Sequence, residues 1–498
     1  MISIQRDKRL LKTIICALAF CSNTRFLTGI TVYSRQDPYP VFSTLDPHTF
    51  VDRRHREHLL QNDYPQLSCD WAHLAITAYG QNANEGKNNC GKRVELGDLN
   101  GRWFIPGLLY GPVPDGQTLP EILGTAKTAL FGVPADTVID DCQGFDIKQL
   151  MGFFSVPLYY RKRGVRFQLE AQISCDVGVR FEAGLADIFQ SVCPSYLCPC
   201  PPEIPIDTIP LIGQQDPDVY CNAVCPTYIN ETNKAANVPN PLTGLPLMSV
   251  ASVNQFLMCP FRCNIAPEIC IDIDDYHKLS AEDVRLGLYW RHAYVISDTR
   301  TKWPEFLFIP FAQVEASFAT SKKVDADAVF AVSAGNDGHN SISATLGMNG
   351  EFATSIEVGW EFGYTHFFDK NVCNMPIPTS CFQQGIYPFC TDVNLQPGAN
   401  WNFGAKMSTY HFIDRLSFFF QYMLIIHEKD SIKLRNCDSA FMPELLENRS
   451  PFKTHVANVG FNYDISPNIG LGFLWQAPLQ QQASYRSTTI MFGFNATF

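Results

Sequence analysis

The chain has few charged residues and lacks any long apolar run. Asp, Glu, Lys and Arg make up 17% of its residues, whereas soluble domains carry about 25%. No stretch reaches the roughly 18 consecutive apolar residues that a membrane-spanning helix requires. The low charge argues against an ordinary soluble domain, and the lack of apolar runs argues against a helical membrane protein.

The chain also lacks the signals of common enzymes and of nucleic-acid-binding proteins. Its net charge is −11, so it offers no general attraction for phosphate backbones. The Gly-x-Ser-x-Gly motif of hydrolases does not occur, and His366, His411, His427 and His455 are scattered along the sequence. We therefore expect no enzyme activity, no catalytic residue, no cofactor and no nucleic-acid partner.

An uninterrupted alternation of apolar and polar residues runs from Val165 to Ala183. Successive side chains of a β-strand point to opposite faces, so a period of two predicts a strand. Strands in globular proteins usually span about 3–10 residues, and the polar positions here include Arg166, Glu170 and Arg180. This length and this charged face favour a wall between lipid and water, as in a transmembrane β-barrel.

Segments with the same alternation recur along the chain. They lie near 97–110, 148–160, 165–188, 283–297, 303–319, 339–349, 353–369, 398–411, 414–430, 452–464, 468–477 and 486–498. Their connections alternate between short and long, as in outer-membrane barrels, which have short periplasmic turns and long external loops. The sequence predicts an all-β fold: an antiparallel transmembrane barrel of about 12 strands, with a range of about 10–16.

Three segments keep this strand count open. Residues 72–78 alternate and can form one more strand, 165–183 can be two strands with a turn at 174–178, and 328–334 can be another strand.

The N-terminus has the pattern of an export signal, with a basic start followed by a short apolar stretch, Thr13 to Cys21. We expect a signal peptide over 1–21, a periplasmic or plug segment over 22–96, and the barrel over 97–498. Within the barrel, 189–282 is expected to be a large external loop.

The polar face of the predicted strands carries charges of both signs. The predicted pore-lining residues are Arg166, Gln168, Glu170, Gln172, Arg180, Glu182, Arg285, Glu315, Glu357, Glu361 and Lys406. In a water-filled pore these side chains set charge selectivity. In the alternative interpretation they form a ladder of internal ion pairs that closes the lumen. Barrels of about 8 strands are filled by side chains and those of about 16–18 strands leave a channel, so both interpretations stay open.

Cysteine is abundant, with 18 residues in the chain. Most of them fall in the predicted long connections, which were placed without using cysteine. The disulfide candidates are Cys193, Cys198, Cys200, Cys221, Cys225, Cys259, Cys263, Cys270, Cys373, Cys381 and Cys390. Export favours disulfides, within a loop or between molecules. The alternative is a zinc site, but the spacing of the cysteines is too loose to favour it.

Asp272, Asp274, Asp275 and His277 form an acidic cluster in the same loop. Oxygen ligands suit calcium, and an Asp–His pair suits a barrel protease. The spacing matches no calcium-binding loop, so we expect a solvated loop without a metal.

The chain ends in Phe494-Asn495-Ala496-Thr497-Phe498, in which aromatic and apolar residues alternate with polar ones. With this ending and its strand pattern, the chain resembles Gram-negative outer-membrane β-barrel proteins of the porin-like kind. Its cysteine content is similar to that of chlamydia-type major outer membrane proteins. The resemblance implies a bacterial outer-membrane location, contact with outer-membrane lipid, and insertion by the barrel-insertion machinery through the Phe498 strand. It also implies a homo-oligomer or disulfide-linked neighbours.

These observations predict a porin-like channel for passive diffusion of small hydrophilic solutes, with a structural role through disulfides. The alternative is a non-conducting surface barrel that acts as an adhesin or a structural envelope protein. The large, proline-rich 189–282 segment supports that alternative.

Overall fold

A computed structural model of the chain describes the barrel wall and parts of the connections. The described residues are 72–99, 101–138, 153–174, 176–192, 265–269, 271–296, 306–321, 324, 328–352, 356–413, 415–466 and 468–498. The expected signal peptide over 1–21 and most of the expected 189–282 loop lie outside these residues.

Twelve antiparallel strands close into a barrel. The strands are β1 (Ala72–Ala83), β2 (Leu158–Gln172), β3 (Val177–Val192), β4 (two segments, Tyr276–Ala281 and Val284–Arg291), β5 (Phe306–Phe318), β6 (Ser341–Phe352), β7 (Ile356–Phe367), β8 (Asn400–Ile413), β9 (Leu416–His427), β10 (Phe452–Ser466), β11 (Ile469–Gln482) and β12 (Thr488–Thr497). Each strand pairs with its neighbours in chain order, and β12 pairs with β1, which closes the barrel. The prediction of an antiparallel barrel of about 12 strands is confirmed.

The connections at the two ends of the barrel differ in length. One end carries 84–157, 193–275, 319–340, 368–399, 428–451 and 483–487, and all but the last are long. The other end carries 173–176, 292–305, 353–355, 414–415 and 467–468, together with the C-terminal residue. We call these ends the long-loop end and the short-turn end.

The connections contain short strands, helices and 3₁₀ turns. The short strands are Gly86–Lys87, Arg93–Val94, Trp103–Phe104, Phe153–Phe154, Tyr294–Val295, Lys370–Pro376, Cys390–Gln396, Ser431–Leu434 and Ser484–Tyr485. The helices are Glu121–Phe131, Ala266–Glu268 and Pro443–Glu447, and the 3₁₀ turns are Leu96–Asp98 and Ile105–Leu109. None of the helices in the described ranges is both long and apolar enough to cross a membrane.

The strand predicted over 97–110 is wrong. This segment contains the two 3₁₀ turns and lies in the connection after β1. Trp103, Ile105 and Leu108 of this segment are at most 1% exposed, so they pack into a core and present no lipid-facing side. The first barrel strand is Ala72–Ala83, and the barrel therefore begins before the expected boundary at residue 97.

The single strand predicted over 165–188 is also wrong, and the two-strand alternative is the structure found. β2 and β3 form a hairpin, and Val177 donates its backbone N–H to Ser174 O at 3.3 Å. The segment predicted over 148–160 contributes only its last residues to β2. The expected number of strands is still correct. β1 takes the place of the strand predicted over 97–110, and β2 and β3 take the place of the two predicted over 148–160 and 165–188.

The outward face of the strands is apolar. Many alternate residues of the wall are exposed apolar side chains, for example Phe167, Leu288, Val314, Trp360 and Phe494. The residues between them are mostly buried, and many of them are polar. Such a surface suits hydrocarbon, and the closed wall leaves no unpaired strand edge in it. The protein is therefore a membrane-spanning β-barrel.

The largest hydrophobic core lies at the long-loop end. It joins the connections to inward-facing residues near the strand ends, and its members include Trp103, Leu109, Tyr160, Ile188 and Phe330. Trp103 stacks on Phe330 with a centroid distance of 5.8 Å. The connections thus form a packed cap over this end of the barrel.

The outward face predicts how a charge affects stability. We expect Phe167→Arg, near the middle of the apolar face, to cost about 2–4 kcal/mol of unfolding free energy in vesicles, because the charge enters hydrocarbon. Ile465→Arg, at the short-turn end, should cost about 0–1 kcal/mol. Urea unfolding of both variants gives the comparison, and equal costs would contradict a lipid-facing position for Phe167.

Candidate functional site in the barrel interior

A β-bulge in β4 shapes the interior. Glu282 and Asp283 are consecutive, and both are only 1% exposed. The register with β3 gives β4 one more residue than β3 across the gap between its two segments. A bulge re-aims side chains in this way. The strand therefore directs two neighbouring carboxylates inward, where strict alternation allows one.

Glu282 is the centre of a buried ionic network. Arg166 donates to it twice, from Nε at 2.5 Å and from Nη2 at 2.8 Å. Lys162 Nζ lies 3.2 Å from the same carboxylate, and the Tyr79 hydroxyl donates to it at 2.6 Å. The Arg166 guanidinium also lies 4.8 Å from the centroid of the Tyr79 ring. The network joins β1, β2 and β4 across the interior.

Arg180 organises a second group on β2 and β3. Its Nη2 lies 3.2 Å from Glu182 Oε2 and donates to Gln168 Oε1 at 3.0 Å. Its Nε lies 4.0 Å from Glu170, which also accepts a hydrogen bond from Gln168 at 2.7 Å. Arg180 itself is 1% exposed.

Arg285 extends this group to β5. Its Nη1 lies 3.9 Å from Glu182 and 3.7 Å from Glu315, and Gln313 donates to Glu315 at 2.9 Å. We call this side of the interior the charged wall, and its ionic members are Lys162, Arg166, Arg180, Arg285, Glu170, Glu182, Glu282 and Glu315. Four cations face these four carboxylates, so the charges of these eight residues balance.

A further ionic pair lies on β7 and β8. Lys406 and Glu357 form an ion pair, and Tyr410 donates to Glu357 at 3.1 Å. On the same strand, Glu361 accepts a hydrogen bond from Gln421 of β9 at 3.2 Å. This contact connects the charged residues to the next part of the interior.

The facing part of the interior, on β9 to β12, carries amides. Gln421 accepts a hydrogen bond from Asn458 at 3.1 Å, and Gln476 accepts one from Thr489 at 3.4 Å. Asn462 and Asn495 lie on the same face. We call these residues the amide wall: Gln421, Asn458, Asn462, Gln476 and Asn495.

Several amide atoms of this wall are buried without a hydrogen-bond partner among the described residues. They are Asn458 Oδ1, Asn462 Oδ1, Gln476 Nε2, and Oδ1 and Nδ2 of Asn495. A buried unsatisfied polar group costs about 1–3 kcal/mol, and buried polar sites commonly hold water. The amide wall has the chemistry of a surface that contacts water inside the barrel.

An apolar cluster lies on the interior face of β1 and of strands that also carry the amide wall. Tyr79, Phe419, Leu474 and Met491 pack together from four different strands, and each is 3–6% exposed. Polar side chains lie on both sides of this cluster along the strands.

A segment of the β5–β6 connection bonds to inward-facing groups at the long-loop end. Asp283 accepts N–H bonds from Asn336 at 2.5 Å and from Ser321 at 2.9 Å. Lys162 donates to Ala334 O at 3.1 Å, and Asn336 donates to Ser317 Oγ at 3.3 Å. Residues 328–340 thus lie over the barrel mouth. Gly335 leaves no room for a side chain, because a Cβ there would lie 2.3 Å from Asp283.

All eleven predicted pore-lining residues lie on the interior face. Nine are buried, whereas Gln168 and Gln172 are half-buried. The structure brings seven of them together on the charged wall: Arg166, Gln168, Glu170, Arg180, Glu182, Arg285 and Glu315. Glu357 and Lys406 form their own pair. Whether they line a conducting path stays a prediction.

Sequence reasoning missed Lys162, Glu282 and Asp283. Glu282 and Asp283 break the alternation, and Lys162 sits in the basic run Arg161-Lys162-Arg163, between the predicted segments 148–160 and 165–188. It also missed Gln421 and Gln476. The shared face of Asn458 and Asn462 was the available signal for the amide wall.

The disulfide prediction is not tested in the 189–282 loop, because its candidate cysteines lie outside the described residues. They are Cys193, Cys198, Cys200, Cys221, Cys225, Cys259, Cys263 and Cys270. Cys373 and Cys381 are exposed and Cys390 is half-buried. The thiols of Cys90, Cys373 and Cys437 are free, so the candidate Cys373 forms no disulfide in this structure.

Asp272 and His277 of the acidic cluster at 272–277 make separate contacts. Asp272 accepts the backbone N–H of Asp274 at 2.9 Å, whereas His277 pairs with Asp187 at 2.8 Å on the outer side of the barrel. Within the described ranges no three His, Cys, Asp or Glu residues are arranged to hold a metal ion.

Comparison with known proteins gives distant structural likeness only. No family model matches the chain, and no curated protein has significant similarity to it. An outer membrane channel from Pseudomonas putida F1 is 8% identical with a TM-score of 0.42, over 87% of this chain and 97% of that one. The translocator domain of autotransporter NalP from Neisseria meningitidis is 8% identical with a TM-score of 0.31, over 89% and 95%.

The Glu282 network predicts a large cost for removing its carboxylate. We expect Glu282→Gln to lower the unfolding free energy by about 3–5 kcal/mol, because Arg166 and Lys162 then stay buried without their counter-charge. The exposed Glu268→Gln is the control and should change stability by less than about 0.5 kcal/mol. Urea unfolding of the refolded barrel measures both, and an unchanged midpoint for Glu282→Gln would show that the network contributes nothing.

The cap predicts a pH dependence. Asp98 accepts the backbone N–H of Val156 at 3.0 Å, and burial raises its pKa from 3.8 to about 6. Because the folded pKa exceeds the unfolded one, protonation of Asp98 stabilises the cap fully below the unfolded pKa, and this contribution is lost as the pH rises through about 6.

We therefore expect Asp98→Asn to raise the urea midpoint of the folded barrel at about pH 7.5 and to leave it unchanged near pH 3.5. The exposed Asp136→Asn is the matched control and should have no effect at either pH. A destabilising effect of Asp98→Asn at the higher pH would contradict the assignment.

Proposed function

We propose that the protein is a narrow outer-membrane channel for passive diffusion of small hydrophilic solutes. The lipid-facing exterior, the polar interior and the separation of short turns from long loops support this location and this class of function. The single observation that carries the proposal is the set of buried amide atoms without partners on the amide wall. Those atoms favour water inside the barrel.

The proposed path follows the amide wall. Side-chain amides donate and accept hydrogen bonds without carrying charge, so they suit water and small hydroxylated solutes. The apolar cluster around Phe419 and Met491 limits the width of the path. The charged wall is neutralised internally, so it adds little selectivity between anions and cations.

The cap restricts entry at the long-loop end. Residues 328–340 bond to Asp283 and Lys162 at the mouth, and the core around Trp103 packs beneath the connections. A solute therefore has to pass a small opening, which fits small molecules better than polymers.

A second candidate is a non-conducting surface barrel that binds a neighbouring or host protein. The paired charges of the interior and the extensive cap core favour it, because both fill space that an open pore leaves to water. Deletion of 193–264 tests it: loss of binding to a surface partner with an unchanged barrel would support this candidate.

Other expectations from the sequence stay proposals. These are insertion through the Phe498 strand, a homo-oligomer, disulfide-linked neighbours and the absence of enzyme activity. We propose that any disulfides lie at the long-loop end, where the described cysteines Cys90, Cys373 and Cys437 are exposed.

Single-channel conductance in a planar bilayer tests the channel. We expect stepwise conductance from the refolded protein, and a strong decrease for Asn458→Leu/Gln476→Leu, which replaces two amides by apolar groups of similar size. Thr345→Val, on the interior face of β6, is the matched control and should conduct like wild type. A folded but silent wild-type barrel would overturn the proposal and favour the surface barrel.

The same recording with and without reductant tests the cysteines. A change of conductance on reduction is expected if disulfides hold the cap over the mouth. Identical traces would show that the cap is independent of thiol oxidation.

A further inference from the structure

The apolar outer face of β2 to β4 ends sharply toward the long-loop end. On β2 the outward residues Val165 and Phe167 are followed in that direction by Arg163 and then Arg161. Arg163 lies opposite Asp187 of β3, directly above the apolar pair formed by Val165 and Leu185. The charged residues therefore begin on one level, at the edge of the lipid-facing belt.

The acidic group at this level already has a partner. Asp187 Oδ1 lies 2.8 Å from His277 Nε2 on β4. Two arginines and one carboxylate leave an excess of positive charge on this part of the rim. Neither arginine forms an ion pair with another described residue.

The arginines are held in position by the strand and by an aromatic ring. Arg161 and Arg163 are two residues apart and face the same side of β2, so their Cα atoms are about 6.6 Å apart. The Arg161 guanidinium lies 5.2 Å from the centroid of the Phe189 ring, whereas the Arg163 side chain is exposed. Tyr159, next on this face, is 41% exposed and adds a hydroxyl.

This arrangement matches an amphipathic ligand. Guanidinium groups bind phosphate oxygens with paired hydrogen bonds, and the apolar face directly below accepts acyl chains. We propose that Arg161 and Arg163 bind the phosphate of a phosphorylated membrane lipid at the long-loop rim of the barrel. The proposal rests on the membrane location given above but not on conduction.

Lipid binding in detergent tests the proposal. We expect native mass spectrometry of the refolded full-length protein to show retained phosphatidic acid in preference to phosphatidylcholine. Arg161→Gln/Arg163→Gln should weaken phosphatidic acid binding by about 30-fold, because each basic residue near an anionic surface contributes about fivefold. Excess inorganic phosphate should not displace the lipid, since the acyl chains contribute to binding.

Lys453→Gln is the matched control, because Lys453 lies at the same end of β10 on the other side of the barrel. It should bind phosphatidic acid like wild type. Unchanged binding by the double arginine variant, or an equal loss in Lys453→Gln, would overturn the site in favour of general attraction. Displacement by inorganic phosphate would overturn a lipid ligand.

Conductance separates this inference from the proposed channel. The double arginine variant should conduct like wild type, because both side chains lie outside the barrel. A silent wild-type protein that still binds phosphatidic acid would overturn the channel and leave the lipid site standing. Loss of conductance in the arginine variant would contradict a purely lipid-facing role for these residues.

Discussion

Hydrocarbon offers no hydrogen-bond partner, so every backbone N–H and C=O of a membrane-spanning strand has to be paired with another strand. The protein meets this constraint by joining its first strand to its last, from His73–Thr497 to Asn82–Thr488. Closure leaves each strand one face toward lipid and one toward the interior. The two-residue period of the sequence, the exposed apolar belt and the crowded polar interior are all consequences of that geometry.

Two kinds of contact lower the free-energy cost of burying polar groups in the interior. On the charged wall, cations and carboxylates are matched in number and joined by ion pairs, as at Arg166 and Glu282. On the amide wall, hydrogen bonds join some partners, and atoms such as Asn458 Oδ1 have no partner among the described residues. One half of the barrel is therefore joined by ion pairs, and the other half presents uncharged amides to the interior.

The sequence predicted the barrel and its strand number because alternation is read directly from residues such as those at 356–367. It failed at 97–110, where Trp103 and its neighbours are apolar because they pack in the core of the cap. In a short segment, such apolar residues cannot be told from those of a barrel strand. It placed all eleven interior residues on the correct face, since face follows from period. It could not find Glu282 and Asp283, because a bulge depends on pairing with β3, or the contacts of 328–340, because they join residues far apart in the chain.

The bulge in β4 lets two consecutive residues bind two different parts of the protein. Glu282 belongs to the ionic network of the wall, whereas its neighbour Asp283 holds the 328–340 segment by backbone N–H groups. If that segment leaves the mouth, Asp283 becomes hydrated and a negative charge is uncovered at the entrance. Displacement of the 328–340 segment would therefore change the electrostatic potential of the entrance. That change would attract an arriving cation and repel an arriving anion.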